Sequence, residues 1–210
     1  MQRVSPSPVE IKLLNYAIDF FIWDSVGAAA AAGTCHFIPI CSIELLASKH
    51  SAMSGRRVFR AFTLVDDCTR EPLAIEVDFS LSADRVVRTL ERVIAQRGQP
   101  QAIVCDNGPE FTSRTMLSWA HHRGITLAFI RPDKPIENAF VESCNGRLRD
   151  ECLNLHWFLT IADARYRIEA FRVSFITARP HSGLGGLTPQ QFSQKLKKEK
   201  QDEELTRLSA

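Results

Sequence analysis

The stretch RAFTLVDDCTREPLAIEVDFSLSADRVVRTLERVIAQRGQPQAIVCDNG, residues 60–108, changes its hydrophobic pattern twice, and these changes decide the fold. Its first half contains two segments rich in β-branched and aromatic residues around the turn CTRE, which predicts a β-hairpin. Apolar residues then recur at helical spacing between Ser82 and Gly98, which predicts an amphipathic helix with both ends marked. The short apolar run AIVC predicts a buried strand that ends at Asp106.

The alternation of elements continues downstream. We predict a helix at about 113–122, a strand in ITLAFI, and helices at about 138–153 and 161–175. A hairpin followed by alternating helices and strands favours an α/β sheet of mixed direction over a helical bundle or a sandwich.

Length and composition indicate one main domain. The chain has 210 residues, of which 45% are apolar, enough to supply a core. The net charge of +2 gives only weak support for a polyanionic partner. We predict three parts: residues 1–45, which lack a clear period and are unassigned, a core at 46–193, and a charged tail at 194–210.

Cysteine usage and the N-terminus indicate a cytoplasmic protein. The six cysteines have no metal-ligand spacing, so we expect reduced thiols. The first residues lack the apolar run of a signal peptide. Residues 25–43 are uncharged, but polar residues, Pro and Gly dilute them, so we expect no membrane span there.

Two carboxylates are candidates for chemistry. Asp106 follows a buried strand, and Glu142 lies in a predicted helix on whose face Asn138, Asn145 and Arg149 also fall. Phosphoryl transfer with two divalent ions needs carboxylates from separate elements, because hard cations prefer oxygen ligands. However, an Asp at a strand end often caps a turn, and a Glu on a helix often faces solvent. The two positions alone leave both interpretations open.

Three motifs add a family resemblance. They read DNGPEFTS at 106–113, IRPDKPIENAFVESCNGRLRDECLN at 130–154 and RPHSGLGGLTPQQF at 179–192. In this order they resemble OrfB-type transposases of bacterial insertion sequences, whose cores are similar to retroviral integrases. In that family the second catalytic Asp opens the DNG motif and the catalytic Glu follows after 35 residues. Here 35 residues separate Asp106 from Glu142.

The resemblance implies an RNase H-like α/β fold, a mixed five-stranded sheet with flanking helices, in which the acids lie on the first strand, the fourth strand and a following helix. It implies a transposase core, a polynucleotidyl transferase that cleaves and joins DNA with two Mg²⁺ or Mn²⁺ ions held by Asp106 and Glu142. The implied partners are element ends, target DNA, a helix-turn-helix protein and further copies of the chain in a homo-oligomer. Asp66 and Asp67 would be structural.

The first catalytic acid is where the sequence departs from the family pattern. The family has an Asp in the strand before the Gly-Arg-Arg that matches residues 55–57. The nearest local match is CSIELL, which places Glu44 at that position. Asp19 in AIDFF also resembles the strand, but it lies 36 residues before Gly55. We prefer Glu44; a third alternative is that residues 1–45 are not family sequence.

Basic residues near the acids are candidate DNA contacts. They are Arg131 and Lys134 before Glu142, Arg147 and Arg149 after it, and Arg179 and His181 in the late loop. The same side chains are also typical of solvated surface or of ion pairs with Asp150 and Glu151.

The departures support an alternative hypothesis. The first Asp is missing, and so is the Tyr-Asn pair that precedes RPH in the family. The chain would then be a truncated, catalytically inactive transposase fragment that retains the fold and weak DNA binding. A simple RNase H-like nuclease would share the acids but not the NAFVES and RPHSGLGGLTP motifs.

Overall fold

The computed structural model describes residues 58–130 and 139–209, and the backbone of one strand at Ile40–Ala47. The elements in chain order are β1 (Ile40–Ala47), β2 (Arg60–Asp66), β3 (Pro72–Asp78), α1 (Ala83–Arg97), β4 (Ala102–Cys105), α2 (Arg114–Arg123), β5 (Thr126–Phe129), α3 (Ala139–Leu148), a π-helical turn (Arg149–Leu153), α4 (Ile161–Ala178), a 3-10 turn (Ser182–Leu184) and α5 (Pro189–Leu208).

The strands form one mixed sheet in the order β3-β2-β1-β4-β5. The pairs β1–β2 and β2–β3 are antiparallel, whereas β1–β4 and β4–β5 are parallel. The predicted α/β sheet of mixed direction is therefore confirmed.

Strand β2 shows how the helices cover both faces of the sheet. Phe62 and Leu64 belong to a core with α1 and α2, which includes Leu90 and Met116. The alternate residues face the other layer, where Ala61 packs in one cluster with Leu148 and Ile168 of α3 and α4. Both faces are covered, so every residue from Ala61 to Val65 is buried and the strand lacks a polar face.

The predicted helix ends are largely confirmed. The Ser113 hydroxyl accepts a hydrogen bond from the Met116 N–H at 3.2 Å, so Ser113 caps α2. Gly124 ends the same helix in the left-handed conformation, which a residue without a side chain adopts most readily. The helix predicted at 138–153 is α3 followed by a wider π-helical turn, in which the Asn154 N–H donates to the Arg149 carbonyl at 2.8 Å.

Strand β1 begins at Ile40, and α5 runs from Pro189 to Leu208 with Thr188 as its capping residue. One feature differs from the sequence-based expectations. Cys68 is disulfide-bonded, so the expectation of reduced thiols is wrong at that position. Cys105, Cys144 and Cys152 are buried and form no disulfide.

In the part of the chain that the structure describes, no helix is both long enough and apolar enough to cross a bilayer. The uncharged segment at 25–43 lies outside the described residues.

Candidate active site

Asp106 is the first residue after the fully buried strand β4, and a short turn holds it. Its Oδ1 accepts a hydrogen bond from the Gly108 N–H at 3.0 Å. The neighbouring Asn107 donates its Nδ2 to the Ile130 carbonyl just beyond β5, also at 3.0 Å. Burial raises the pKa of Asp106 above its ordinary value, and the Gly108 N–H opposes this shift only in part. The turn thus fixes a carboxylate at a sheet end in a partly desolvated position.

Glu110 is a second carboxylate at this turn, and the sequence-based prediction did not include it. A β-carbon placed on Gly108 would lie 2.6 Å from Oε1 of Glu110 and 3.0 Å from Oδ1 of Asp106. Both carboxylates therefore approach the space that the missing side chain leaves open. The spacing Asp-Asn-Gly-Pro-Glu contained this signal, since a turn closed at Gly108 returns the next acid toward Asp106.

Glu142 lies in the first turn of α3 with its side chain exposed. Among the described residues it has no hydrogen-bond or ion-pair partner. The adjacent Val141 is fully buried and packs with Cys144, Val65 and Phe175. These apolar contacts hold the helix turn that carries Glu142 against its neighbours.

Asn145 has a different role from the one that its helical spacing predicted. It does not share an exposed face with Glu142 and Arg149, because it is fully buried beneath α3. The Thr63 hydroxyl donates a hydrogen bond to Asn145 Oδ1 at 2.8 Å. This bond joins α3 to strand β2 one helical turn from Glu142. Asn138, the other member of the predicted face, lies outside the described residues.

The strand register gives the position of Glu44. In the antiparallel pair, residue 44 is aligned with Thr63, which carries the hydrogen bond to Asn145. In the parallel pair, Ile43 is aligned with Cys105, and the next residues along the two chains are Glu44 and Asp106. Residue 44 therefore lies in the strand between β2, whose Thr63 is hydrogen-bonded to α3, and β4, which ends next to Asp106. Asp19 lies outside the described residues.

Asp66 forms part of the β2–β3 turn. Its Oδ1 accepts hydrogen bonds from the N–H groups of Cys68 at 2.8 Å and Thr69 at 3.2 Å. The next residue, Asp67, accepts a hydrogen bond from the Arg70 side chain at its backbone carbonyl. These contacts support the structural role that we expected for the acidic pair.

Some of the candidate DNA-contact residues form ion pairs with acidic side chains. Arg147 Nη1 lies 3.7 Å from Glu151 Oε1, and Arg179 also pairs with Glu151. Arg149 is exposed, and its side chain has no ion pair within the described part of the chain. Arg131 and Lys134 lie outside the described residues.

Asp106 and Glu142 are the candidate metal ligands among the described residues. Within residues 58–130 and 139–209, no three His, Cys, Asp or Glu side chains lie close enough together to hold a metal ion. Asp106 and Glu142 nevertheless supply the donor type that Mg²⁺ and Mn²⁺ prefer. A side chain on β1 is not among those described, because the structure describes only the backbone of that strand.

Family comparison links this arrangement to known proteins. Two family models, both described as Integrase core domain, match the chain at residues 46–135 and 123–189. The first match includes Asp106, and the second includes Glu142. Together they span β2 to α4, whereas most of β1 and nearly all of α5 lie outside the matched residues.

Two curated relatives come from bacterial insertion elements. The chain is 49% identical over 142 residues to an uncharacterized protein of insertion element IS407 from Burkholderia multivorans. It is 45% identical over 142 residues to an uncharacterized protein of IS476 from Xanthomonas euvesicatoria. Each match covers 68% of this chain but only 51% and 41% of the respective relatives. The chain thus spans about half of their length or less.

Solved structures with the same fold are retroviral integrase cores. The HTLV-2 integrase catalytic core, in complex with magnesium, matches with a TM-score of 0.55 and 16% identity over 74% of this chain and 95% of its own. The catalytic core of BIV integrase matches with a TM-score of 0.53 and 19% identity over 78% and 99% of the two chains. At these identities the likeness shows a shared RNase H-like fold. By its motifs, its fold and its insertion-element relatives, the chain belongs to the integrase core family.

Proposed function

We propose that this chain is the catalytic core of a DNA transposase, a polynucleotidyl transferase that cleaves DNA strands at element ends and joins them to target DNA. The observation that carries the proposal is the placement of Asp106 at the end of β4, with Glu142 exposed on α3, which packs against the same sheet. Carboxylates brought from separate elements are what two-metal phosphoryl transfer requires.

The site residues fit a divalent metal. Asp106 and Glu142 would hold Mg²⁺ or Mn²⁺, two ions in the family pattern, and Glu44 is the third ligand that we propose. When bound, such ions activate the attacking oxygen and stabilise the leaving oxygen of a phosphodiester. The protein positions these two carboxylates. The turn at residues 106–108 holds Asp106, and apolar packing under α3 holds the helix that carries Glu142.

Glu44 is supported by strand register. In the pair with β2 it is aligned with Thr63. In the pair with β4 it directly follows Ile43, which is aligned with Cys105. A Glu carries its carboxylate about 1.5 Å further from the backbone than an Asp does. Because catalysis depends on placement at about the 1 Å level, we expect slower catalysis than with an Asp, and Glu44→Asp tests this directly.

We propose that DNA is the partner and that the active form is a homo-oligomer in the bacterial cytoplasm. The HTLV-2 integrase core is described in dimeric and trimeric forms, and a simian T-cell lymphotropic virus integrase in an intasome. Exposed Arg149 is our first candidate for a phosphate contact, with Arg147, Arg131 and Lys134. A helix-turn-helix protein would supply recognition of the element ends.

The alternative function is an inactive transposase fragment. It is favoured by one observation, the absence of an Asp at the β1 position where the family has its first acid. Such a fragment would keep the fold and weak, salt-sensitive DNA binding but would not cut DNA.

The deciding experiment is a strand-cleavage assay on labelled DNA that carries element ends, with Mn²⁺ or Mg²⁺ and a helix-turn-helix partner. We expect the wild type to nick and join DNA, and Glu142→Gln and Glu44→Gln to abolish both steps. Asp19→Asn is the matched control and should retain activity. If Asp19→Asn is inactive and Glu44→Gln active, the assignment of the first acid is wrong. A folded wild type that gives no product with either metal supports the inactive fragment.

A further inference from the structure

Four basic side chains from separate parts of the fold lie along one flank of α3. This basic cluster consists of Arg70, Arg147, Arg179 and His181. Arg147 and Arg179 share the carboxylate of Glu151. The His181 ring lies 4.9 Å from the Phe175 ring, and the Arg179 guanidinium carbon lies 5.6 Å from the same ring. Residues distant in sequence thus converge on one place.

Arg70 joins the cluster from the β2–β3 turn. Its guanidinium stacks over the ring of Phe140 on α3, 3.1 Å from the ring centre. Burial lowers the pKa of Arg70, while Asp67 and Asp66 partly offset this effect. Its backbone φ is +61°, a left-handed conformation that costs energy for a residue with a side chain. The Arg70 guanidinium therefore lies over Phe140 despite a strained backbone and partial desolvation.

His181 has an unsatisfied polar atom in the described part of the chain. Its Nε2 is buried and has no hydrogen-bond partner among the described residues. Buried polar atoms are rarely left without a partner, and an exception commonly marks the place of an ion or a water. The backbone N–H of His181 donates to the Leu187 carbonyl at 3.0 Å and closes the late loop.

Three arginines lie close enough to His181 to affect its pKa. Burial lowers the pKa of His181, and Arg179, Arg70 and Arg147 lower it further. Arg147 and Arg179 share only one carboxylate, although each guanidinium has five N–H donors. The Arg147 side chain is 57% exposed and the Arg179 side chain 32%, so an anion can reach the unused donors from solvent.

The basic cluster is separate from the catalytic acids. Arg147 follows Glu142 by five residues, which corresponds to about 140° around a helix of 3.6 residues per turn. Phe140, Arg147 and Glu151 lie on one flank of α3, and Glu142 lies on the other, with the buried Val141 and Leu148 between them. An anion bound at the cluster would therefore not occupy the metal position.

We propose that His181, Arg70, Arg147 and Arg179 bind one phosphodiester of DNA on the flank of α3 opposite Glu142. This inference rests on the proposed function for the identity of its ligand. The flat donor fork of an arginine matches phosphate oxygens, and His181 Nε2 donates the remaining hydrogen bond. Because a phosphate carries no sequence information, this site positions DNA and does not read bases.

The test measures DNA binding without divalent metal, in EDTA, so that it does not depend on catalysis. Fluorescence anisotropy with an element-end duplex and with a random duplex of equal length gives the dissociation constant across a salt series. We expect Arg179→Gln to weaken binding of both duplexes about 5- to 10-fold and to lower the log–log salt slope by about one. Arg88→Gln, which removes an exposed arginine from α1, should leave binding almost unchanged.

His181→Phe distinguishes a binding role from a structural one. Replacing the orphan nitrogen with carbon should leave the thermal midpoint unchanged or higher, while DNA binding weakens. Inorganic phosphate should raise the midpoint of the wild type but not that of His181→Phe. His121→Phe, on the exposed face of α2, is the matched control. A variant that melts earlier and binds DNA as the wild type does would overturn the proposal.

Glu151→Gln should change DNA affinity in the opposite direction. It also keeps the proposal testable if Arg179→Gln does not fold. It removes the carboxylate that competes for Arg147 and Arg179, so DNA binding should strengthen a few-fold. Unchanged salt slopes in all cluster variants, alongside active strand cleavage, would reject the site and keep the proposed function. Reduced slopes alongside an inactive wild type would keep the site and reject catalysis.

Discussion

The turn that carries Asp106 and the helix that carries Glu142 are held in place by different kinds of contact. Asp106 is positioned within three residues, by the Gly108 N–H and by the space left at Gly108. Glu142 has no polar partner among the described residues, so its position depends on how α3 packs. Val141 and Cys144 hold that helix by apolar contacts, and Asn145 holds it by the hydrogen bond from Thr63. The first carboxylate is arranged by local sequence, and the second by tertiary packing.

The largest expected effect is the loss of strand cleavage in Asp106→Asn and in Glu142→Gln, each by about 10³-fold or more, since a metal ligand is worth several kcal/mol at the transition state. The two variants should differ in the stability of the metal-free protein. Asp106→Asn should be slightly stabilised because it removes a partly desolvated carboxylate, whereas Glu142→Gln should be neutral. Urea denaturation measures both. A destabilised Asp106→Asn would mean that the Gly108 hydrogen bond outweighs the desolvation.

Gly108→Ala should reduce strand cleavage by about 10- to 100-fold, because the new methyl group meets Glu110 and Asp106 and displaces carboxylates where about 1 Å matters. The atoms that it meets are the ends of flexible side chains, so the free energy of unfolding should change little.

Gly146→Ala is the matched control for that substitution. No atom lies within 4 Å of its added methyl group, and the glycine sits inside α3. It should keep activity and stabilise the protein by about 0.5–1 kcal/mol, by helix propensity. Equal activity in the two alanine variants would contradict the proposed crowding at Gly108.

Thr63→Val tests the tertiary support of Glu142. It removes the hydroxyl that donates to the buried Asn145 Oδ1 and should cost about 1–3 kcal/mol of unfolding free energy. Strand cleavage should fall as well and should recover in Thr63→Ser. The control is Thr89→Val, at a buried threonine on α1 away from the acids, where activity should be retained. If both valine variants lose activity equally, the bond is only structural.

The smallest effect concerns pH. Burial raises the pKa of Asp106 in the folded protein, so its ionised form destabilises the fold. This cost is fully present above the folded-state pKa and absent below the unfolded value of about 4. The stability of the metal-free wild type, measured relative to Asp106→Asn, should therefore rise as the pH falls through that window. A difference that stays constant from pH 7 to pH 3 would contradict the raised pKa.

Several parts of the site could be predicted from sequence because their signals are local. The strand end at Asp106 was predicted from an apolar run followed by Asn-Gly, and α2 from Ser113 and Gly124. The catalytic role of Asp106 came from the family resemblance. Asn145 was misplaced on an exposed face because helical spacing indicates neighbours on the helix surface but not which side meets the sheet. Glu110 and Arg70 were missed because each lies in a turn whose geometry the sequence pattern did not reveal.

The amino-acid sequence by itself determined the alternation of strands and helices, the two acids 35 residues apart and the turn that holds Asp106. These depend on hydrophobic period, spacing and turn chemistry, which act over a few residues. Only the tertiary structure decided that residue 44 is aligned with Thr63, that Asn145 is buried against the sheet, and that the basic cluster lies across α3 from Glu142. Strand register and helix orientation arise from contacts between distant residues, and these form only when the layers pack.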